Sequence, residues 1–352
     1  MFIFIEGAVM VRAYVGRRSR GVTAAKAGAT ARTGATARAA TAVAAAAAAA
    51  AGTLLLATGC ATTAPGGSAA VGAAAGGSGQ TITVVAAENF WGSIAAQLGG
   101  SHVAETSIIS NPDTDPHDYE ATPADARTIS AAQVFIQNGL GYDSSWAPKL
   151  VAANPNVDRT VLTVGDLVGL KDGDNPHQWY VKSSVYKVID AITAAYQKAD
   201  PADAAYFAAQ KSSFEQATLA PYNQLISDIR GRYAGTPIGA SESIVSGLAD
   251  TLGLKMLTPY SFLRDISEGN DPTAADKTLI DQQIKSKAIK VYVYNSQNAT
   301  PDIAAQVAEA KAEGIPVTTV TETLFPAGDS FQQWQLNQLK KLESALASAS
   351  GR

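Results

Sequence analysis

From Thr81 to the C terminus, short β-branched runs alternate with helix-forming stretches, and this alternation limits the fold more than any other feature of the chain. A strand that is followed by a helix before the next strand returns to its sheet in parallel. Repetition builds a parallel sheet with helices on both faces. Strands are expected at Thr81–Ala86, Val103–Ser110, Val134–Gln137 and Val161–Val164, with helices at Phe90–Leu98 and from Thr122 to about Ser130. The second of these helices starts at Thr122-Pro123-Ala124-Asp125, where Thr caps, Pro fits the first turn and Asp reaches back.

Ser184–Lys198 reads as helical, and Asp200-Pro201 then opens a longer helix from about Ala202 to Arg230, which Pro221 should bend or interrupt. That helix is long for a small α/β lobe and reads as a connector. The alternation then resumes. Strands are expected at Thr236–Ala240, Leu254–Leu257, Ala288–Tyr294 and Pro316–Val320. Helices are expected at Ser243–Leu252, from a cap at Asp271-Pro272 to Lys285, from Thr300-Pro301 to about Gly314, and at Ser330–Ala347. The last places Phe331, Trp334, Leu339, Leu342 and Leu346 on one face. The fold class is therefore α/β: two lobes, each a mostly parallel sheet flanked by helices, joined by one long connecting helix. The segments ending in Phe135–Asn138 and Val291–Asn295 look alike, a hint of pseudo-symmetry.

The first 59 residues differ in kind. They hold seven of the chain's 27 Lys and Arg and only one of its 31 acids, Glu6. The remaining 20 basic residues face 30 acids, a formal charge near −10 that argues against nucleic acid as a partner. Behind the basic segment, Thr41–Thr58 is an uncharged apolar run that reads as the hydrophobic region of a signal peptide, with a spanning helix as the alternative. Ala57-Thr58-Gly59-Cys60 resembles a bacterial lipobox, with cleavage before Cys60 and a lipid on its sulfur. As the single cysteine, Cys60 can form no internal disulfide. Met10 is an alternative start. Ala61–Gln80, rich in Gly, Ala and Ser and without charge, reads as a flexible tether. The divisions that follow are signal peptide 1–59, lipidated cysteine and tether 60–80, first lobe 81–201, connecting helix 202–233 and second lobe 234–352.

Chemistry concentrates at two histidines. His117 lies in Asp115-Pro116-His117-Asp118-Tyr119 and His177 in Asn175-Pro176-His177-Gln178-Trp179. Each block is polar residue, Pro, His, polar residue, aromatic, and each falls ahead of an expected helix. Proline fixes the backbone approach and the aromatic can hold the ring. The chain has three histidines, so this repeat points to a pair of imidazole ligands for a divalent metal. His102, in Gly100-Ser101-His102, lacks such a motif and reads as a structural or surface residue. A closed site needs about four donors. Glu242, just after the strand Thr236–Ala240, and Glu322, just after the strand ending at Val320, stand where open α/β sheets bind ligands. Gly-x-Ser-x-Gly, His-Glu-x-x-His, a Walker loop and Gly-x-Gly-x-x-Gly after a strand are all absent, which leaves no support for hydrolase, metalloprotease or nucleotide-binding readings.

Asp115–Asp143 (DPHDYEATPADARTISAAQVFIQNGLGYD) and the NPHQW block together resemble the signatures of the metal-binding lipoproteins of ABC importers, the cluster A-I or ZnuA/TroA/PsaA-like solute-binding proteins. The resemblance covers about Thr81 to Ala347. It implies a C-clamp with metal between the lobes, His117 and His177 as first-lobe ligands, and Glu242 as the third. Glu322 stands where the family usually has Asp, and Ala121 where it commonly has Pro. The resemblance also implies delivery to an ABC permease with its ATPase, by a monomer anchored to the outer face of the cytoplasmic membrane. Zinc specialists often carry a third His and a His-rich acidic loop, and neither is present. The set of two His and two carboxylates favours manganese over zinc as the transported ion, and no organic cofactor is expected. The rival readings are a metal-dependent hydrolase with an open coordination position, a binding protein for a different small solute, and surface adhesion, which would not require the histidine pair.

Overall fold

The computed structural model describes residues 81–112, 114, 119–298 and 300–351. The leader, Cys60, the tether and His117 therefore lie outside the described residues, as does the Thr41–Thr58 alternative span. Among the described residues no helix is long and apolar enough to cross a membrane.

Two four-stranded parallel sheets form the frame. The first contains β1 (Ile82–Glu88), β2 (Val103–Ile109), β3 (Val134–Gln137) and β4 (Thr160–Thr163) in the order β2-β1-β3-β4. The second contains β5 (Pro237–Ala240), β6 (Lys255–Met256), β7 (Val291–Asn295) and β8 (Val317–Val320) in the order β6-β5-β7-β8. The orders are the same, so the pseudo-symmetry hinted at by the sequence is present in the topology. In each sheet the strand order reverses between the first and third strands, and ligand crevices form at such a switch point.

The helices follow the expected pattern. They are α1 (Asn89–Gly99), α2 (Pro123–Ala131), α3 (Ala147–Ala153), α4 (Val164–Val168), α5 (Lys182–Ala199), α6 (Ala204–Ser213), α7 (Ala220–Tyr233), α8 (Ile244–Leu252), α9 (Tyr260–Ser267), α10 (Ala274–Lys285), α11 (Pro301–Ala312) and α12 (Phe331–Ser350). Thr122 caps α2 through a full capping box with Asp125. In the second lobe the cap of α10 is Thr273, whose hydroxyl accepts from the Asp276 N–H, rather than the expected Asp271-Pro272. Val164, read as strand, opens α4 instead. The connector is interrupted. After α6 the chain makes a π-turn at Phe214–Thr218, with the Leu219 N–H bonding the Phe214 carbonyl at 2.8 Å, and Pro221 sits in the first turn of α7. Proline has no N–H to give to a preceding turn, so the wide turn takes up the mismatch.

The period of two along β1 divides the first lobe's core. Val84 and Ala86 join the large cluster that includes Trp91, Trp179 and Ile192, while Val85 and Ala87 face a smaller one with Phe135 and Trp146. The final helix buries Phe331, Trp334, Leu339, Leu342 and Leu346 as its pattern predicted. Its start ties back to the first lobe, where the Phe331 N–H donates to Ser93 Oγ at 2.9 Å and Gln332 pairs with Gln97.

Candidate metal centre

Both second-lobe candidates, Glu242 and Glu322, stand just past a strand end. Glu242 stands two residues past β5 and is fully buried. Its neighbours are pinned: the Ser241 N–H donates to the Val293 carbonyl, and the Ser243 N–H to the Leu263 carbonyl at 3.1 Å. Glu322 stands two residues past β8 and is 5% exposed. The Gln297 side chain accepts from the Glu322 and Thr323 N–H groups at 2.6 and 3.1 Å, so this loop too is fixed from its backbone.

Asn295, the last residue of β7, joins the two acids. Its Nδ2 donates to Glu242 Oε2 at 3.0 Å and to Glu322 Oε1 at 2.9 Å. A single amide thereby holds two buried carboxylates that would otherwise repel at close range. From the first lobe, the Tyr142 hydroxyl donates to Glu322 Oε2 at 2.7 Å. Tyr142 also lies edge-on to the His177 ring, with centroids 6.1 Å apart.

His177 is 1% exposed and enters from the loop ahead of the 3-10 turn Gln178–Tyr180. Trp179, two residues on, meets it edge-on at 5.2 Å and stacks on Phe90 at 3.9 Å, so the aromatic of the motif does hold the imidazole. Asn175 sets the tautomer. Its Nδ2 donates to the Ser243 carbonyl at 2.7 Å, which fixes which amide atom is oxygen. That Oδ1 lies 2.8 Å from His177 Nδ1 and also accepts the His177 N–H. An amide oxygen can only accept, so Nδ1 carries the proton and the ring lone pair is on Nε2, the state a metal ligand needs. The same asparagine crosses from one lobe to the other, since Ser243 belongs to the Glu242 segment.

The structure thus links His177 to the Glu242 segment through Asn175 and links Glu242 to Glu322 through Asn295, while Tyr142 touches both Glu322 and the His177 ring. His117 lies outside the described residues, but both sides of its loop are held. The Gln297 Nε2 donates to the Pro112 carbonyl, at 2.6 Å. The Tyr119 hydroxyl donates to Asp125 Oδ2 at 2.8 Å, and burial together with that carboxylate pushes its pKa up to about 12. His102 stays away from this group and pairs with Asp203.

Reading the sequence missed Asn295, Tyr142 and Asn175, and also a second buried acid. Glu88, at the end of β1, is fully buried. Burial, then the charge of Asp143, raises its pKa well above the ordinary carboxylate value. Asp143 is raised by burial as well, although the N–H groups of Gly139 and Asn138 oppose the shift by donating to it at 2.7 Å each. A cavity of about 260 Å³ opens beside Asn175 and Ser243, with Tyr260 and Arg264 on its wall.

The profile of the family described as "Zinc-uptake complex component A periplasmic" matches residues 84–345, most of the chain. The chain belongs to this family. Among its relatives, the manganese-binding lipoprotein MntA of Halalkalibacterium halodurans is 28% identical over 179 residues, a match that spans 46% of this chain and 59% of that protein. The metal ABC transporter substrate-binding lipoprotein SloC of Streptococcus mutans is 24% identical over 73% of this chain and 89% of its own length. A solved structure of a Mn-bound periplasmic metal binding protein from Candidatus Liberibacter asiaticus superposes with a TM-score of 0.63 at 22% identity, covering 76% of this chain and all of that one. A crystal structure of ZnuA gives a TM-score of 0.61 at 19% identity. At such identities the structural likeness establishes the fold, two parallel α/β lobes.

Proposed function

We propose that this chain is the extracytoplasmic solute-binding lipoprotein of an ABC importer. In this reading it takes up one divalent transition-metal ion, manganese or zinc, between its lobes and delivers it to a membrane permease and its ATPase. The observation that carries the reading is the burial of His177 in one lobe and of Glu242 and Glu322 in the other, tied to one another through Asn175, Asn295 and Tyr142. His117 is the fourth donor. The lobes are 81–201 and 234–352, joined by 202–233, and a lipid on Cys60 with the tether up to residue 80 holds the body outside the membrane after loss of the leader 1–59.

The chemistry follows from the geometry. A neutral imidazole offers Nε2, and two carboxylates balance the 2+ charge, so the ion sheds water without leaving a net buried charge. Donors from both lobes mean that the ion gains its full set only when the lobes are together, so binding favours the closed form. Tyr142 and Asn175 make the same cross-lobe contacts and bias closure in the same direction. Acidification competes for the same lone pairs and releases the ion. Four protein donors leave no position for an activated water, and so the reading is binding rather than hydrolysis. A larger chelate is disfavoured because Arg264, the cation on the neighbouring cavity's wall, is half-exposed and already paired with Asp265 at 3.1 Å.

The test is metal analysis of protein purified without added metal. The wild type is expected to carry one equivalent of manganese or zinc more than a His117→Ala, His177→Ala double variant. Equal metal content in the two would place the site elsewhere.

A further inference from the structure

We propose that His102, Asp200 and Asp203 form a second divalent-cation site, in the first lobe and independent of the cleft. They come from two turns far apart in sequence. His102 closes the 3-10 turn Gly100–His102 after α1, while Asp200 follows α5 and Asp203 ends the 3-10 turn Pro201–Asp203 that leads into α6. One ligating atom of each lies within 4.8 Å of the other two. His102 Nδ1 is 3.0 Å from Asp203 Oδ2, a hydrogen-bonded pair that need open only to about 3.4 Å to place both atoms on a tetrahedral ion with bonds of about 2.1 Å.

The arrangement is held rather than loose. The His102 ring stacks on Tyr206 with centroids 3.9 Å apart and meets Phe207 edge-on at 5.8 Å. Gly100 has φ +52°, and a Cβ there would come within 2.3 Å of the Tyr206 hydroxyl, so only glycine lets the turn press this closely on α6. The two aspartates bracket the short turn between α5 and α6, Asp200 just before it and Asp203 at its end. Both are 8% exposed. Two carboxylates so placed beside one imidazole favour a cation among them.

One nitrogen and two carboxylate oxygens suit a borderline metal of the Zn²⁺ class. They balance its charge and leave one position for solvent, which reaches the site past a His102 side chain that is 19% exposed. A bound ion would tie the start of β2 to the junction of α5 with the connector, so the second equivalent would stiffen the first lobe without entering the transport site.

The experiment uses the full chain with the cleft disabled by His177→Ala and Glu242→Gln, titrated with Zn²⁺ alone by equilibrium dialysis and by thermal unfolding. One equivalent is expected to remain bound and to raise the Tm. Adding Asp200→Asn, which keeps the His102–Asp203 pair and so the local fold, should weaken that equivalent by at least about tenfold, as should His102→Gln. A cleft-disabled chain that binds no Zn²⁺, or one whose retained Zn²⁺ is indifferent to both substitutions, would overturn the proposal. The cleft reading is tested on His177 and His117, so either assignment can fail without the other.

Discussion

The two lobes use the same positions for different ends. In the first sheet Ala86 pairs with Ile136, and in the second Ala240 pairs with Val293. Two residues further on, Glu88 is thus the counterpart of Glu242, and Asn138 the counterpart of Asn295. In the second lobe the strand-end acid faces the cleft and the asparagine clamps it to Glu322. In the first lobe the acid is buried beside Asp143. The asparagine there accepts from Trp91 Nε1 at 3.0 Å and donates to the Pro176 carbonyl at 3.0 Å, directly ahead of His177. One lobe places its candidate donors just past the strand ends themselves. The other spends its strand ends on a frame and brings His177 in from a loop. The repeat supplies positions, and local partners decide how each is used.

This contrast can be broken most sharply by swapping equivalent acids. Glu242→Gln removes a proposed donor and is expected to lower Mn²⁺ or Zn²⁺ affinity by more than about 100-fold, while Glu88→Gln changes it by less than about threefold. Equal losses by calorimetric titration would erase the distinction between the lobes. The asparagines come next. Asn295→Ala should cost about 10- to 100-fold in affinity because both carboxylates lose their shared donor, and Tyr142→Phe about tenfold. If Asn295→Ala left affinity unchanged, the clamp would have no bearing on binding.

The pH dependence sharpens the same comparison. The pKa of Glu88 is raised in the folded state, so the stability this group contributes is complete below its unfolded value, near 4.5, and is lost as pH rises through the folded value. Glu88→Gln removes that loss. Its Tm should equal the wild type's in acid and exceed it increasingly toward neutral and alkaline pH. A constant Tm difference across the range would contradict the assignment. The smallest effect concerns the caps, where the lobes should behave alike. Thr122→Ala and Thr273→Ala are each expected to cost about 1 kcal/mol in denaturant unfolding, with metal affinity untouched.

Much of this was legible in advance, and the gaps have physical reasons. Strands such as Val134–Gln137 and Val291–Asn295 show as β-branched and aromatic runs because both faces of a parallel sheet are covered. Helices α3, α4 and α9 escaped notice because they are short and follow no side-chain cap. The spacing of Phe262, Leu263 and Ile266 was a usable signal for α9. Glu242 and Glu322 were singled out by their place after a strand and His177 by its motif, and all three are buried. Asn295 and Tyr142 could not be singled out, since their meaning lies in contacts across 53 and 180 residues of chain, which periodicity does not carry. Glu88 carried no signal that separated it from a solvated acid until the register of the two sheets was known.

The most direct test of the central claim is anomalous diffraction from crystals of the protein grown with Mn²⁺ as the only transition metal. The account predicts a peak in the cleft, about 2.0–2.3 Å from His177 Nε2 and from an oxygen of each of Glu242 and Glu322, with His117 completing the set. A cleft without that peak, or an ion there held by donors from one lobe alone, would contradict it.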